Sequence, residues 1–279
     1  MGEMTVGQLE EALFSAFPHS DAESWDQPGL AVGDRAAVVG KVAFNLDMST
    51  QAVLEAARAG CNVLVTHHPP FIKGGPEEFG PAAQAETPGP GRMVFEAARL
   101  GVNVIAMHTN ADRSIAVREQ YARLLGCTCQ GNFEFLLDAR RMQAGTGFGA
   151  LLQPPAGETL TLDELARRCL GAFGGAPRVW GEPTRGIRRF ALLNGSWSEP
   201  ELALACHMGG VECIIVGETR YHMCVDAQPA LSVIELGHDR SELAIVDVLE
   251  ACVCNLGIAG DRRVRLTCSS CNWWVPTER

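Results

Sequence analysis

The sequence predicts an α/β protein built from two α/β domains, with mostly parallel or mixed sheets flanked by helices. The alternation of elements predicts this class: short apolar strands alternate with amphipathic helices along most of the chain. Regular alternation is typical of βαβ units and a largely parallel sheet. The 279 residues are enough for two domains of ordinary size.

The first part of the chain carries one series of elements. An amphipathic helix is predicted at 5–17, and the segment 24–34, marked by proline and glycine, is predicted to be a loop. The series continues with strands at 38–46, 61–66 and 102–107, helices at 49–60, 92–101 and 113–126, and a loop rich in glycine and proline at about 69–91.

A second series begins near residue 145. Thr161 and Glu164 have the spacing of a capping box, which predicts a helix from there to about Phe173. The same alternation predicts strands at 145–152, 190–196, 213–218 and 231–238, and helices at 199–208, 221–227 and about 240–254.

Composition and charge narrow the class of protein. The 23 basic and 33 acidic residues give a net charge of −10, which argues against binding a nucleic-acid backbone over a wide surface. The apolar stretches of the chain are far shorter than the roughly 20 residues that a transmembrane helix needs. The first residues lack the basic region of a signal peptide. We therefore expect a soluble cytoplasmic protein with no membrane partner.

The chain contains eleven cysteines, an odd number. In a chain with no export signal, this favours free thiols over a disulfide framework. Cys268 and Cys271 have C-x-x-C spacing, and Cys252 and Cys254 precede them, so a structural zinc site is an alternative to free thiols there. Four further cysteines lie in apolar patterns and are predicted to be buried: Cys61, Cys169, Cys206 and Cys213.

Histidines follow three of the predicted strands. His67 and His68 end one strand, His108 another and His238 a third, while Asp47 ends a fourth strand. Ligands of parallel α/β sheets bind at the carboxyl ends of strands. Two carboxylates, Asp112 and Glu242, each lie four residues after one of these histidines. Imidazoles with carboxylates suit zinc, manganese, iron or cobalt, and five or more ligands suit a site for two metals. A polar cluster without metal remains the alternative.

Seven short segments, in order along the chain, resemble the motifs of the Nif-three-like dinuclear metal-centre proteins, whose members are named GTP cyclohydrolase 1 type 2 homologues. The segments are SWDQPGLAVGD (24–34), NLDMST (45–50), VTHHPPF (65–71), AMHTNAD (106–112), ALLNGS (191–196), IIVGETRYHMCVDA (214–227) and IELGHDRSE (234–242). The resemblance covers nearly the whole chain.

The resemblance implies a site and an assembly. It places the ligands of two divalent metal ions on five residues: His67, His68, Asp112, His238 and Glu242. His108 and His222 are then catalytic or substrate-contacting groups, with a surface histidine as the alternative for His222. Asp47 is expected to orient a ligand, and Asp26 to be a turn residue.

Such a ligand set implies that the first domain is discontinuous, at 1–126 with 232–279, and that the second domain covers 127–231. The strand at 231–238 and the helix after it would then return to the first sheet. The family resemblance also implies a homo-oligomer, expected to be a hexamer.

The resemblance implies a metal-dependent hydrolase of the GTP cyclohydrolase type 2 kind, in which metal-activated water attacks the imidazole ring of GTP. Cleavage of a nucleotide or another phosphoester would suit the same site, and a metal-binding or adaptor protein without activity is the alternative. The densest basic cluster is expected to bind phosphate or to be a solvated face, and consists of Arg178, Arg185, Arg188 and Arg189.

The sequence departs from the family pattern at Gln27-Pro28, at Phe148 and at Trp197, and these departures bear on the substrate and not on the metal.

Overall fold

The structure is a computed structural model that describes residues 3–71, 89–137, 145–197 and 201–267. The chain divides into two compact units, Met1–Ala111 with Val246–Arg279, and Asp112–Ile245. The first unit is thus discontinuous in sequence. The observed boundaries differ from the expected ones because the helix at 115–125 contacts strands of the second unit, and the strand at 232–235 pairs within it.

The first unit is a mixed sheet with helices. Five of the described strands form it in the order β1-β4-β3-β2-β13; β1 is antiparallel to β4, and the other pairs are parallel. Its strands are β1 Gly29–Val32, β2 Val42–Asn45, β3 Val63–Thr66, β4 Asn103–Ala106 and β13 Arg263–Arg265, and its helices are α1 Val6–Ala16, α2 Thr50–Arg58 and α3 Pro90–Leu100.

Local signals in the sequence explain where these helices begin and end. Thr5 and Gln8 form a capping box at the start of α1, and the Ser49 side chain accepts a hydrogen bond from Ala52 N at the start of α2. Gly101 ends α3 in the left-handed conformation that glycine adopts without a steric cost. The helices predicted at 5–17, 49–60 and 92–101 are therefore confirmed.

The segment 24–34, predicted to be a loop, contains strand β1. Gly29 and Leu30 pair with Ala106 and Ile105 of β4. The buried carboxylate of Glu10 also accepts a hydrogen bond from Leu30 N at 2.8 Å. The prediction of a loop was wrong because the strand is only four residues long and its partner lies more than 70 residues away in the sequence.

The second unit contains a larger mixed sheet. Six of the described strands lie in the order β5-β6-β10-β11-β12-β8, with β10, β11 and β12 parallel to one another and the outer pairs antiparallel. The strands are β5 Thr128–Asn132, β6 Ala150–Gln153, β8 Arg178–Trp180, β10 Phe190–Ser196, β11 Cys213–Glu218 and β12 Ser232–Glu235; a separate pair consists of β7 Leu160–Thr161 and β9 Gly186–Ile187.

The helices of the second part of the chain follow the predicted series closely. Thr161 and Glu164 form the predicted capping box. The helices are α4 Thr109–Asp112, α5 Ile115–Leu125, α6 Leu162–Phe173, α7 Glu201–Met208, α8 Tyr221–Ala227 and α9 His238–Asn255. The last helix, α9, begins at His238, two residues earlier than predicted, and continues into the first unit.

Strand β12 does not return to the first sheet as expected. It pairs in parallel with β11, the preceding strand of the series, and β13 instead completes the first sheet beside β2. Consecutive strands joined through one helix commonly lie side by side, and that local rule applies to β11 and β12.

Among the described residues the cysteines are free thiols, and Cys61, Cys169, Cys206 and Cys213 are buried, as predicted. Burial raises the pKa of the Cys169 and Cys206 thiols to about 12. Cys268 and Cys271 lie outside the described residues. Within the part of the chain that is described, no helix is long and apolar enough to cross a membrane.

Candidate metal centre

Three histidines meet at the carboxyl edge of the first sheet. His67 and His68 follow β3, and His108 follows the adjacent parallel strand β4. Each ring offers a nitrogen atom, and the three nitrogens lie within 4.8 Å of one another. The ring centroids are 5.0–5.6 Å apart. The prediction that strand ends bring histidines together is confirmed for this group.

Each of these rings is held through the same nitrogen. His67 Nδ1 lies 2.9 Å from the Met107 carbonyl oxygen, and His68 Nδ1 lies 2.7 Å from Asp47 Oδ1. His108 Nδ1 lies 3.0 Å from Asp26 Oδ1. Carbonyl and ionised carboxylate oxygens only accept hydrogen bonds, so Nδ1 carries the proton in each ring. In the neutral ring Nε2 then keeps its lone pair, which is the arrangement that metal-binding histidines require.

Asp26 is more than a turn residue. Its buried carboxylate accepts hydrogen bonds from His108 and from the Thr109 backbone N–H, and Thr109 Oγ1 donates to the same carboxylate. Burial alone would raise the pKa of Asp26, but the hydrogen bond and charge of His108 and the bonds from Thr109 lower it to about 2. Asp26 is therefore an ionised anchor for His108. Nothing in the sequence beyond an acid after Trp25 pointed to this role.

The second unit holds predicted ligands of its own around Asn194. The Asn194 side-chain amide donates to Asp112 Oδ1 at 2.6 Å and to Glu242 Oε1 at 3.3 Å. His238 Nε2 lies 3.3 Å from Glu242 Oε2, one helical turn away on α9. His238 Nδ1 lies 3.0 Å from Glu218 Oε1, so this ring too is held through Nδ1 by a carboxylate. Asp112, His238 and Glu242 are thus brought together within this unit.

Two glycines allow the backbone to approach this group closely. Gly195 has φ +68°, and a Cβ there would lie 2.8 Å from Glu242 Oε1. A Cβ on Gly217 would lie 2.2 Å from the Gly195 carbonyl oxygen, which is too short for any side chain. Ser241 Oγ accepts from Gly195 N at 3.0 Å and donates to the His238 carbonyl at 2.7 Å. The start of α9 is thereby fixed against the ends of β10 and β11.

Tyr121 lies beneath the same carboxylates. It is buried, and its hydroxyl donates to the Ser241 carbonyl at 3.1 Å. Burial, followed by the negative charges of Asp112 and Glu242, raises the pKa of Tyr121 well above its ordinary value. The tyrosine therefore stays neutral and closes the group on the side of the core.

The donor chemistry of both groups fits divalent metal. A His238 Nε2 lone pair and a carboxylate oxygen 3.3 Å apart repel unless a positive charge, a metal ion or a proton, lies beside them. Imidazole nitrogens with carboxylate oxygens suit first-row transition metals and zinc. The described residues thus include clusters of histidine, aspartate and glutamate that could hold a metal ion.

His222 is an exposed residue of helix α8. It lies on the exposed side of α8, where its ring is edge-on to Tyr221 with the centroids 5.4 Å apart. That position corresponds to the surface-histidine alternative, and its catalytic role stays a prediction.

The basic cluster is engaged in structural contacts. Arg178 pairs with Glu235 at 2.5 Å, and Arg188 pairs with Glu212 at 2.6 Å. Arg185 donates to the Pro229 and Ala230 carbonyls, and Arg189 donates to the Gly209 carbonyl. These partners argue against phosphate binding, and the side chains of Arg178 and Arg188, which are 66% and 72% exposed, agree with the alternative of a solvated face.

Comparison with known proteins decides the family. The family model described as DUF34/NIF3 (NGG1p interacting factor 3) matches residues 4–270 of the chain. The chain belongs to this family. The resemblance inferred from seven short motifs is therefore confirmed.

Relatives of this DUF34/NIF3 protein carry one recurring name. A "GTP cyclohydrolase 1 type 2 homolog" of Clostridium acetobutylicum is 29% identical over 235 residues, which cover 83% of each chain. A protein of the same name from Clostridium perfringens is 25% identical over 246 residues, covering 87% of this chain and 88% of that one.

Solved structures support the fold. A Staphylococcus aureus hypothetical protein matches with a TM-score of 0.81 at 21% identity, covering 99% of this chain and 100% of that one. A Bacillus cereus protein related to NIF3 matches with a TM-score of 0.78 at 16% identity, with the same coverage. The predicted α/β class, with mixed sheets flanked by helices, is confirmed.

Proposed function

We propose that this DUF34/NIF3 protein is a metal-dependent hydrolase that uses two divalent metal ions on a nucleotide substrate, in the manner of a GTP cyclohydrolase of type 2. Its proposed ligands are the five predicted from the resemblance: His67, His68, Asp112, His238 and Glu242. The observation that carries the proposal is that the three ligand histidines share one orientation, with Nδ1 on an acceptor. The names of the relatives support the substrate class.

The chain's own residues would have distinct tasks in such a reaction. When bound, two divalent cations lower the pKa of water and stabilise negative charge on a reacting oxygen. His108 Nε2 can accept a proton, and the ionised Asp26 at Nδ1 would stabilise the imidazolium that forms. The Asn194 amide, which donates to both carboxylates, would hold Asp112 and Glu242 in a fixed direction.

The phosphates of a nucleotide are not assigned to the arginine cluster, because its members have carboxylate or carbonyl partners. Because no residue is assigned to the phosphates, the proposal includes both ring opening of GTP and cleavage of a phosphoester. Self-association, with a hexamer as the expected assembly, is also part of it.

The experiment combines metal analysis with a turnover screen of the purified full chain. The screen offers GTP, other nucleotides and a generic phosphodiester with added manganese or zinc, with and without chelator. We expect chelator-sensitive turnover of at least one substrate. Glu242→Gln should lose turnover and bound metal, because an amide oxygen is a weaker ligand than a carboxylate.

Glu212→Gln is the matched control, because Glu212 pairs with Arg188 in the same unit and belongs to neither group. It should behave as the wild type. Bound metal without turnover of any substrate would contradict the hydrolase and favour the metal-binding or adaptor alternative. Unchanged metal content in Glu242→Gln would contradict the ligand assignment.

A further inference from the structure

Strand β10 carries a bulge where it reaches the carboxylate group. Leu193 pairs with Val216 and Ser196 pairs with Glu218, so β10 has one residue more than β11 over this stretch. The extra length is taken up at Asn194 and Gly195, and Gly195 has φ +68°. Bulges beside functional sites turn a side chain in a new direction. Here the redirected side chain is that of Asn194.

Trp197 spans this bulge. Its indole Nε1–H donates to the Asn194 carbonyl oxygen at 2.9 Å, and its own backbone N–H donates to the Glu218 carbonyl oxygen at 3.1 Å. The ring thus links the residue after the strand to the residue whose amide faces Asp112 and Glu242. Without the indole N–H, the Asn194 peptide would lose the side-chain donor that fixes its plane.

The indole is itself held in place by a chain of contacts. The Trp197 ring is edge-on to Phe148, with the centroids 5.8 Å apart, and the Arg113 guanidinium lies 4.1 Å from the Phe148 ring centroid. Arg113 forms two hydrogen bonds with Glu134, at 3.1 Å each, and directly follows Asp112 in the sequence. Because Asn194 also donates a hydrogen bond to Asp112, the contacts return to their starting residue. The residues in this cycle of contacts are Asp112, Arg113, Phe148, Trp197 and Asn194.

We propose that Trp197 is a positioning residue for metal binding. Its indole N–H holds the β10 bulge in place by donating to the Asn194 carbonyl oxygen, and the bulge directs the Asn194 amide towards the carboxylates of Asp112 and Glu242. The inference rests on the proposed function, in which these carboxylates bind metal. Trp197 touches neither metal nor substrate in this role and acts through Asn194. Residues that orient metal ligands in this way typically change metal affinity about 10- to 100-fold when they are replaced.

The test uses Trp197→Phe, which keeps an aromatic ring against Phe148 and removes the indole N–H. Trp180→Phe is the matched control, because Trp180 also packs, partly buried, against the hydrophobic core of the same unit. The readouts are the affinity of the metal-free full chain for Mn²⁺, measured by titration, and the visible spectrum of the Co²⁺-loaded chain. The spectrum reports on coordination geometry, which a general loss of stability would leave unchanged.

We expect Trp197→Phe to weaken Mn²⁺ binding roughly tenfold and to alter the Co²⁺ spectrum, while Trp180→Phe changes neither. Asn194→Leu should weaken binding at least as much, since it removes the amide. If Trp197 acts through Asn194, adding Trp197→Phe to Asn194→Leu should change the affinity less than about twofold. Trp197→Tyr, which also lacks the indole N–H, replaces Trp197→Phe should the latter fail to fold.

Three results would overturn the inference alone: wild-type affinity in Trp197→Phe, wild-type affinity in Asn194→Leu, or independent, multiplying effects in the double variant. A wild-type chain that binds no Mn²⁺ or Co²⁺ would overturn both this inference and the proposed function. Metal binding without turnover would contradict the hydrolase and leave the positioning role standing on its affinity data.

Discussion

At the scale of single residues, the shared feature is the direction of the imidazole rings. His67, His68, His108 and His238 all present Nδ1 to a carbonyl or carboxylate oxygen. The acceptor fixes which nitrogen carries the proton, and it also makes the other nitrogen a better ligand. The same local arrangement thus recurs in both units.

The buried Asp26 predicts a pH dependence of stability. Its pKa of about 2 in the folded chain is below the ordinary 3.8, so its contribution to stability is present above pH 4 and is lost as pH falls towards 2. The shift is equivalent to about 2 kcal/mol at about pH 5, with roughly half of that lost by about pH 3. Urea unfolding of the wild type and of Asp26→Asn should show a stability difference that shrinks over this range. A constant difference would contradict the ionised anchor.

Gly195 tests the close approach of β10 to Glu242. Gly195→Ala should cost about 1–2 kcal/mol for the left-handed backbone and should also weaken metal binding, since the new Cβ displaces the carboxylate. Gly210→Ala is the matched control: Gly210 has φ +64°, and a Cβ there would meet nothing within 4 Å. Thermal unfolding should show similar losses for both variants, and metal titration should separate them. Equal metal affinities would contradict the crowding at Glu242.

At the scale of secondary structure, short-range and long-range information contribute differently. Helices α1, α2 and α6 could be predicted because their capping residues and apolar spacing are local signals. Strands β1 and β13 could not, because each is three or four residues long and forms only beside a strand that is distant in the sequence. β-Structure depends more on such neighbours than helices do.

We expect the buried carboxylate of Glu10 to stabilise strand β1, which the sequence analysis did not predict. Glu10→Ala should lower the free energy of unfolding by about 1–3 kcal/mol, because it removes the buried acceptor of Leu30 N–H. Glu11→Ala is the control on the same helix: Glu11 pairs with Arg35 at 2.9 Å, and its side chain is 72% exposed. An exposed ion pair contributes about 0–1 kcal/mol. Equal losses in denaturant unfolding would contradict the role given to Glu10.

At the level of the whole chain, the strand ends that bear candidate ligands could be located from the sequence. The side chains that orient these ligands could not. The histidines of β3 and β4 could be predicted because adjacent parallel strands end at the same edge. Asn194 and Glu218 were not predicted, because their role depends on a bulge and on the register between β10 and β11. The unit boundaries at 111/112 and 245/246 also differ from the expected ones, because they depend on which strands pair.

Binding of two divalent metal ions by this DUF34/NIF3 chain is the first requirement of the proposed hydrolysis. Its most direct test is elemental analysis of the purified full chain, loaded with manganese or zinc and freed of excess metal. We expect about two ions per chain, and chelator should remove both the ions and the turnover. A chain that retains no metal under any loading condition would contradict it.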